Sequence, residues 1–251
     1  MPVHRRVAGR LARTFLRARY RTRPAPLPLV NRLVAFVGDA NRLSSRVQVQ
    51  PARSSLPSPL DEILGDVELG NWTLAADSLR FLIGEIERIK PHVVLEFGSG
   101  VSTVCFAHAL RGDDAVVISI DHDGWFLEET RSLLRRAGLD DRVRLVSAPL
   151  VKVEYGRVSA VSYDLGHARA LLRSHPPSFV LIDGPPRAIT NSRYLTLPRL
   201  VGSAPPGARW FLDDALSALG IEIATGWAEI PGIAVEGICC VGNGLLTGEF
   251  R

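Results

Sequence analysis

Five times between residues 93 and 212 the chain repeats one pattern, and no other feature limits its fold so strongly. A short run of apolar residues, almost without polar interruption, ends at a polar or acidic residue and gives way to a helical stretch. The runs are Val93-Val94-Leu95, residues 115–120, 143–147, 179–182 and 209–212, and between them residues 102–110, 124–137, 165–173 and 190–200 read as helices. A helix over 72–89 precedes the first run, with Leu74, Ala75, Leu79, Phe81, Leu82, Ile86 and Ile89 on its apolar side and Pro91 to stop it. Strands that are apolar on both faces must be covered on both faces, which specifies a doubly wound α/β fold around a mainly parallel sheet. After a helix over 215–225, two further strand-like runs (228–235 and 237–247) leave no room for a crossover helix and must pair antiparallel, bringing the sheet to seven strands with a C-terminal hairpin.

A chain of 251 residues with 46% hydrophobic content supports one substantial core and a short extension. The extension is N-terminal. Residues 1–38 contain no Asp or Glu but nine arginines (Arg5, Arg6, Arg10, Arg13, Arg17, Arg19, Arg21, Arg23 and Arg32); setting those nine aside leaves 21 Lys+Arg against 26 Asp+Glu, so the net +4 belongs to the arm. Val7, Leu11, Phe15, Leu16 and Tyr20 recur near helical spacing among the arginines, the pattern of a basic amphipathic helix. Such a helix either contacts an anionic membrane surface or acidic partner, or is a loosely docked extension. A second apolar stretch over 27–37 is too short and too interrupted to span a bilayer. Residues 44–59 are rich in Ser, Pro and Gln, as linkers are, so we divide the chain into an arm and linker (1–59) and a main domain (60–251). Three cysteines make no disulfide framework or zinc site; adjacent Cys239 and Cys240 read as buried residues on opposite sides of a strand. The expected compartment is the reducing cytoplasm, with the arm at the inner membrane face as the alternative. With 28 arginines against two lysines, the coding sequence reads as GC-rich and bacterial.

The first apolar run ends in Glu96-Phe97-Gly98-Ser99-Gly100, followed by Val101, Ser102 and Thr103. Ligands of open α/β sheets sit beyond the carboxyl ends of the strands, and two glycines let the backbone pass close beneath one. Gly98 and Gly100 match the first half of a dinucleotide fingerprint, but Thr103 stands where its third glycine would, and Glu96 would repel a pyrophosphate. Asp121 closes the second run, 21 residues past Gly100, where a carboxylate can accept hydrogen bonds from both ribose hydroxyls of a nucleoside; His122 and Asp123 follow it.

In its combination and order of motifs, the segment over roughly 72–248 resembles the class I S-adenosylmethionine-dependent methyltransferases, which also share the mainly parallel sheet with a C-terminal antiparallel hairpin. The resemblance implies a donor site formed by Glu96, Gly98, Ser99, Gly100, Ser102, Asp121 and His122, with Ser147-Ala148-Pro149-Leu150 near the adenine. Ile182-Asp183-Gly184-Pro185-Pro186 resembles the fourth motif of a bacterial branch that reads DGPP, and Asp213-Asp214 ends the fifth run. In catechol-type and sugar O-methyltransferases, acids at these positions hold a divalent ion, so Asp183, Asp213 and Asp214 are the implied catalytic and Mg²⁺-binding residues, Asp183 also facing the donor. The alternative is that Asp213 caps the next helix and Asp183 only contacts a ligand. Arg187 and Arg193 can offset these acids or hold an acidic acceptor; His108, His167 and His175 are chemically able bases that placement does not distinguish.

Methyl transfer to a hydroxyl of a small molecule, sugar or glycolipid precursor is therefore the expected function. Its rivals are a donor-binding scaffold without chemistry and an NAD-linked oxidoreductase. Nucleic acid is disfavoured as acceptor, because the arginines lie on the arm and Asp183-Gly184-Pro185-Pro186-Arg187 lacks the aromatic that base methyltransferases stack. Oligomeric state is left open.

Overall fold

A computed structural model describes residues 2–40, 43, 72–110, 114–189 and 191–251, with side chains from residue 8 onward. The expected linker over 44–59 lies outside the described residues. Two helices, α1 (Pro2–Arg19) and α2 (Leu27–Val37), form the arm. Then come α3 (Ala76–Ile89), β1 (Val93–Phe97), α4 (Val101–Ala109), β2 (Val116–Asp121), α5 (Gly124–Ala137), β3 (Val143–Ser147), the pair β4 (Leu150–Tyr155) and β5 (Val158–Tyr163), α6 (Arg169–Ser174), β6 (Phe179–Ile182), β7 (Arg209–Leu212), α7 (Ala218–Ala228), β8 (Ile233–Cys239) and β9 (Leu245–Phe250).

The seven-stranded sheet has the order β3-β2-β1-β6-β7-β9-β8. Its first five strands are parallel, and β9 is antiparallel to both β7 and β8. The apolar runs are continuous because successive residues feed opposite faces. Val93, Leu95 and Phe97 of β1 enter one hydrophobic cluster while Val94 enters the other, and β2 and β6 divide in the same way. Cys239 and Cys240 are both buried and belong to opposite clusters, as expected of neighbours in extended chain.

Several elements differ from the sequence reading. Residues 150–163, which the reading leaves without an element, form a separate antiparallel hairpin, Leu150 opposite Tyr163 and Tyr155 opposite Val158, turned at Gly156 with φ +59°. The expected helix over 190–200 is instead a series of turns ending in a 3₁₀ helix at Pro198–Leu200, since Asn191 is left-handed (φ +57°) and Pro198 withholds a backbone donor. The last helix starts and ends later than its apolar pattern suggests, because Ser217 caps it: Oγ accepts from Gly220 N at 3.0 Å. Asp213 is not that cap. The last two strands likewise begin after the turns at Pro231-Gly232 and at Gly242-Asn243-Gly244.

The arm is docked closely, contrary to the reading of a loose extension. Ala12 and Leu16 of α1 and Val30 and Val37 of α2 are buried in the cluster that also holds Ile223, Trp227 and Ile238. Ala25 pairs with the open edge of β8, its N–H donating to Ile238 O at 2.8 Å and its carbonyl accepting from Ile238 N at 3.0 Å. At that contact Gly237 has φ +146°, and a Cβ there would lie 2.2 Å from Ala25 O, so the edge admits the arm only with glycine. Among the described residues no helix is long and apolar enough to cross a membrane.

Candidate active site at the carboxyl edge of the sheet

The carboxyl ends of β1, β2, β6 and β7 meet at one edge, laced together by backbone hydrogen bonds. Gly98 N donates to Ile120 O at 2.9 Å, Asp183 N and Gly184 N donate to Phe97 O at 2.9 and 2.8 Å, and Asp213 N donates to Ile182 O at 3.0 Å. The turn after β1 is left-handed at Gly98 (φ +102°) and stands against the backbone of Gly184, 3.3 Å from where a Cβ would be. Gly100 is extended, and no protein atom lies within 4 Å of the position its Cβ would take. The turn thus has room above it for a ligand, and that room, more than backbone strain, is what glycine provides at 100.

Asp121 is buried and accepts Ser99 N at Oδ2 (2.7 Å) and Asp123 N at Oδ1 (2.9 Å), which fixes the carboxylate beside the glycine turn. His122 Nδ1 lies 3.1 Å from Asp121 Oδ1, close in distance but without hydrogen-bond geometry. Glu96 is completely buried below the turn. Its Oε2 accepts from Thr103 Oγ1 at 2.5 Å and Ser119 Oγ at 3.1 Å, while Oε1 is buried without a partner. Burial lifts its carboxyl to about 7, against the pull of the Ser102, Thr103 and Ser119 hydroxyls. Thr103 also accepts Gly100 N at 3.1 Å, so the residue that replaces a third glycine braces the turn. Ser99 Oγ and Ser119 Oγ are 2.8 Å apart.

On the other side of the turn, Asp183, Asp213 and Asp214 each offer a carboxylate oxygen, all within 4.8 Å of one another. Two cations face them. Arg193, nearly buried, donates Nε to Pro185 O at 2.8 Å and Nη2 to Asp183 O, and its terminal nitrogens lie 3.3 Å from Asp183 Oδ1 and from Asp214 Oδ2. Arg187 Nε lies 3.4 Å from Asp214 Oδ2, and Asn243 Nδ2 donates to Asp214 Oδ1 at 3.1 Å. Asp213 Oδ1, by contrast, is buried and unpartnered. Burial and mutual repulsion push Asp183 up to about 7, and Asp213 well above the usual carboxylate range.

Residues 95–215 match a family described as "Methyltransferase domain". That stretch is a methyltransferase domain, and it holds the glycine turn, Asp121, Asp183, Asp213 and Asp214.

Solved structures share the fold. A methyltransferase of Geobacter sulfurreducens is 24% identical (69% of this chain, 79% of that one, TM-score 0.51). The Bacillus cereus O-methyltransferase in complex with SAH is 18% identical (82% and 94%, TM-score 0.53), and an SAH-bound Podospora anserina methyltransferase is 15% identical (91% and 97%, TM-score 0.56). No curated protein matches the chain by sequence.

The structure of this methyltransferase brings Gly98, Ser99, Gly100, Ser102, Asp121 and His122 together at one turn, with Asp183, Asp213 and Asp214 beside them. Glu96 lies one layer deeper. Ala148 N donates to Asp121 O at 2.8 Å, so the segment after β3 borders the turn, while Leu150 already belongs to the hairpin. Of the three candidate histidines, His175 faces Ser174, its Nδ1 lying 2.9 Å from the hydroxyl.

Three neighbours escaped the sequence reading. Tyr163, at the end of β5, is buried, stacks on Phe97 (ring centroids 5.6 Å apart) and stands against Gly184. Ser119 and Asn243 carry no motif and reach the site only through the fold.

Proposed function

We propose that this methyltransferase transfers the methyl group of S-adenosylmethionine to a hydroxyl of a small molecule, a sugar or a glycolipid precursor. What carries the reading is the set Asp183, Asp213 and Asp214 beside the glycine turn and Asp121. A donor lying on Ser99 and Gly100, with its ribose hydroxyls at Asp121, would direct its sulfonium toward these acids. The acceptor oxygen attacks the methyl carbon as the carbon–sulfur bond breaks, and its proton passes to a carboxylate. Asp183, lifted to about 7, has the affinity of a base matched to neutral pH. Positioning donor and acceptor in line supplies much of the rest of the rate.

The residues fit a divalent ion through Asp183 and Asp213: Asp213 Oδ1 is a buried oxygen without a partner, whereas Asp214 is already engaged by Arg187, Arg193 and Asn243. Two carboxylates and retained waters suit Mg²⁺. When bound, the ion would lower the pKa of the acceptor hydroxyl, and Asp183 would then serve as its ligand and not as the proton acceptor.

The test is incubation with isotopically methyl-labelled donor and a panel of hydroxylated acceptors, in Mg²⁺ or in chelator. An O-methylated product is expected, with turnover reduced at least about 100-fold in Asp183→Asn. Calorimetric Mg²⁺ binding should be lost in Asp213→Asn. Donor binding without product across the panel would favour the scaffold reading, and full turnover in Asp183→Asn would refute the assignment of the base.

A further inference from the structure

The N-terminal helix has a second apolar face that the fold leaves uncovered. Ala12 and Leu16 point into the core, but Leu11 is 65% and Phe15 46% exposed, four residues apart on one side, with Thr14 and Ala18 also exposed. Arg10 and Arg19 are exposed along the same stretch, Arg21 and Arg23 follow in the segment after the helix, and α2 presents Arg32 and Phe36, the latter 68% exposed. No acidic residue occurs in residues 1–38. Large exposed apolar side chains gathered among exposed arginines mark a surface that meets a partner of matching chemistry.

The end of α1 is tied to the reactive edge of the sheet. Arg17 Nη2 donates to Gly242 O at 2.8 Å, Cys240 N donates to Tyr20 O at 2.7 Å, and Asn243, next to Gly242, holds Asp214. The arm and the acid cluster therefore share the loop between β8 and β9.

We propose that the outer face of α1 docks on an anionic lipid surface, Leu11 and Phe15 entering the headgroup layer and the exposed arginines lying at its phosphates. Resting on the proposed hydroxyl methylation, this narrows the acceptor to a hydroxyl presented at a membrane surface, such as the head of an amphiphile. Charge complementarity selects a polyanion, and the exposed Leu11 and Phe15 select lipid over nucleic acid: a phosphodiester backbone is met by arginine alone, whereas an interfacial helix needs both.

The experiment is co-sedimentation of the full chain with phosphatidylcholine vesicles and with equimolar phosphatidylcholine–phosphatidylglycerol vesicles, at low and high salt. Binding is expected to the anionic vesicles only and to weaken with salt. It should fall at least about tenfold in the double variant Leu11→Ser, Phe15→Ser, and about fivefold for each of Arg10→Gln and Arg21→Gln. S-adenosylmethionine affinity, measured on the same samples, should be unchanged, which reports intact folding and separates failure of the docking from failure of the transferase reading. Equal binding to both vesicle types, no binding to either, or an unaffected double variant would overturn the proposal. So would RNA capture that ignores Leu11 and Phe15, or a dimer that the double variant abolishes.

Discussion

Glu96 shows how a single buried carboxyl can set the pH response of a site. Its folded pKa is raised from 4.5 to about 7 by burial, so the folded chain holds a proton that the unfolded chain releases. The stability linked to that proton is fully present below about pH 4.5 and is lost as the pH rises to about 7, a loss on the order of 3 kcal/mol. Asp183 and Asp213 shift the same way, so the comparison has to be between the wild type and Glu96→Gln. Denaturant unfolding across that window should show a smaller decline in the variant; equal declines would mean that Glu96 is already ionised in the fold. A cationic donor favours the ionised form, so donor affinity should rise between about pH 6 and pH 8 in the wild type and rise less steeply in Glu96→Gln, where Asp183 still titrates. Arg193 makes the complementary case. It is the buried counter-charge of the acid cluster, and Arg193→Met should destabilise the fold by about 3–5 kcal/mol, read by the same unfolding measurement.

The β4–β5 hairpin is the element that most changes the site as inferred from motifs. It delivers Tyr163 onto Phe97 and against Gly184, where a Cβ would lie 2.1 Å from the tyrosine hydroxyl. Gly184→Ala should therefore cost about 1–3 kcal/mol, and adding Tyr163→Phe should recover part of it; no recovery would place the strain elsewhere. The hairpin was legible in principle. Val151, Val153 and Tyr155 alternate with polar residues up to Gly156-Arg157, and the alternation resumes at Val158, which is the signature of two half-buried strands. Strands β1, β2, β6 and β7 are legible because burial on both faces leaves a nearly unbroken apolar run, and the edge strand β3 keeps enough of one around the exposed Arg144. The turns over 191–200 are not, because Tyr194, Leu197 and Leu200 recur every third residue as on a helix, although Asn191 and Pro198 break the backbone pattern. Site residues divide along the same line. Gly98, Gly100, Asp121, Asp183 and Asp213 lie at the ends of legible strands, whereas Tyr163, Ser119 and Asn243 depend on pairings far apart in sequence.

At the scale of the whole molecule, the strand order carries the functional argument. It sets β1 between β2 and β6, with β7 next, so that the glycine turn, Asp121 and the three acids share one edge although they span residues 98–214. The arm extends this edge by sealing β8 through Ala25 and linking to the β8–β9 loop through Arg17, contacts that no local pattern in the arm announces. We propose that this edge binds S-adenosylmethionine, with Asp121 at its ribose. Calorimetric titration of the donor, with thermal unfolding on the same samples, tests it most directly. Saturable binding that raises the unfolding temperature of the wild type is expected, with at least about tenfold weaker binding in Asp121→Ala, through loss of charge-assisted hydrogen bonds. No binding to the wild type, or equal binding to the folded variant, would contradict it.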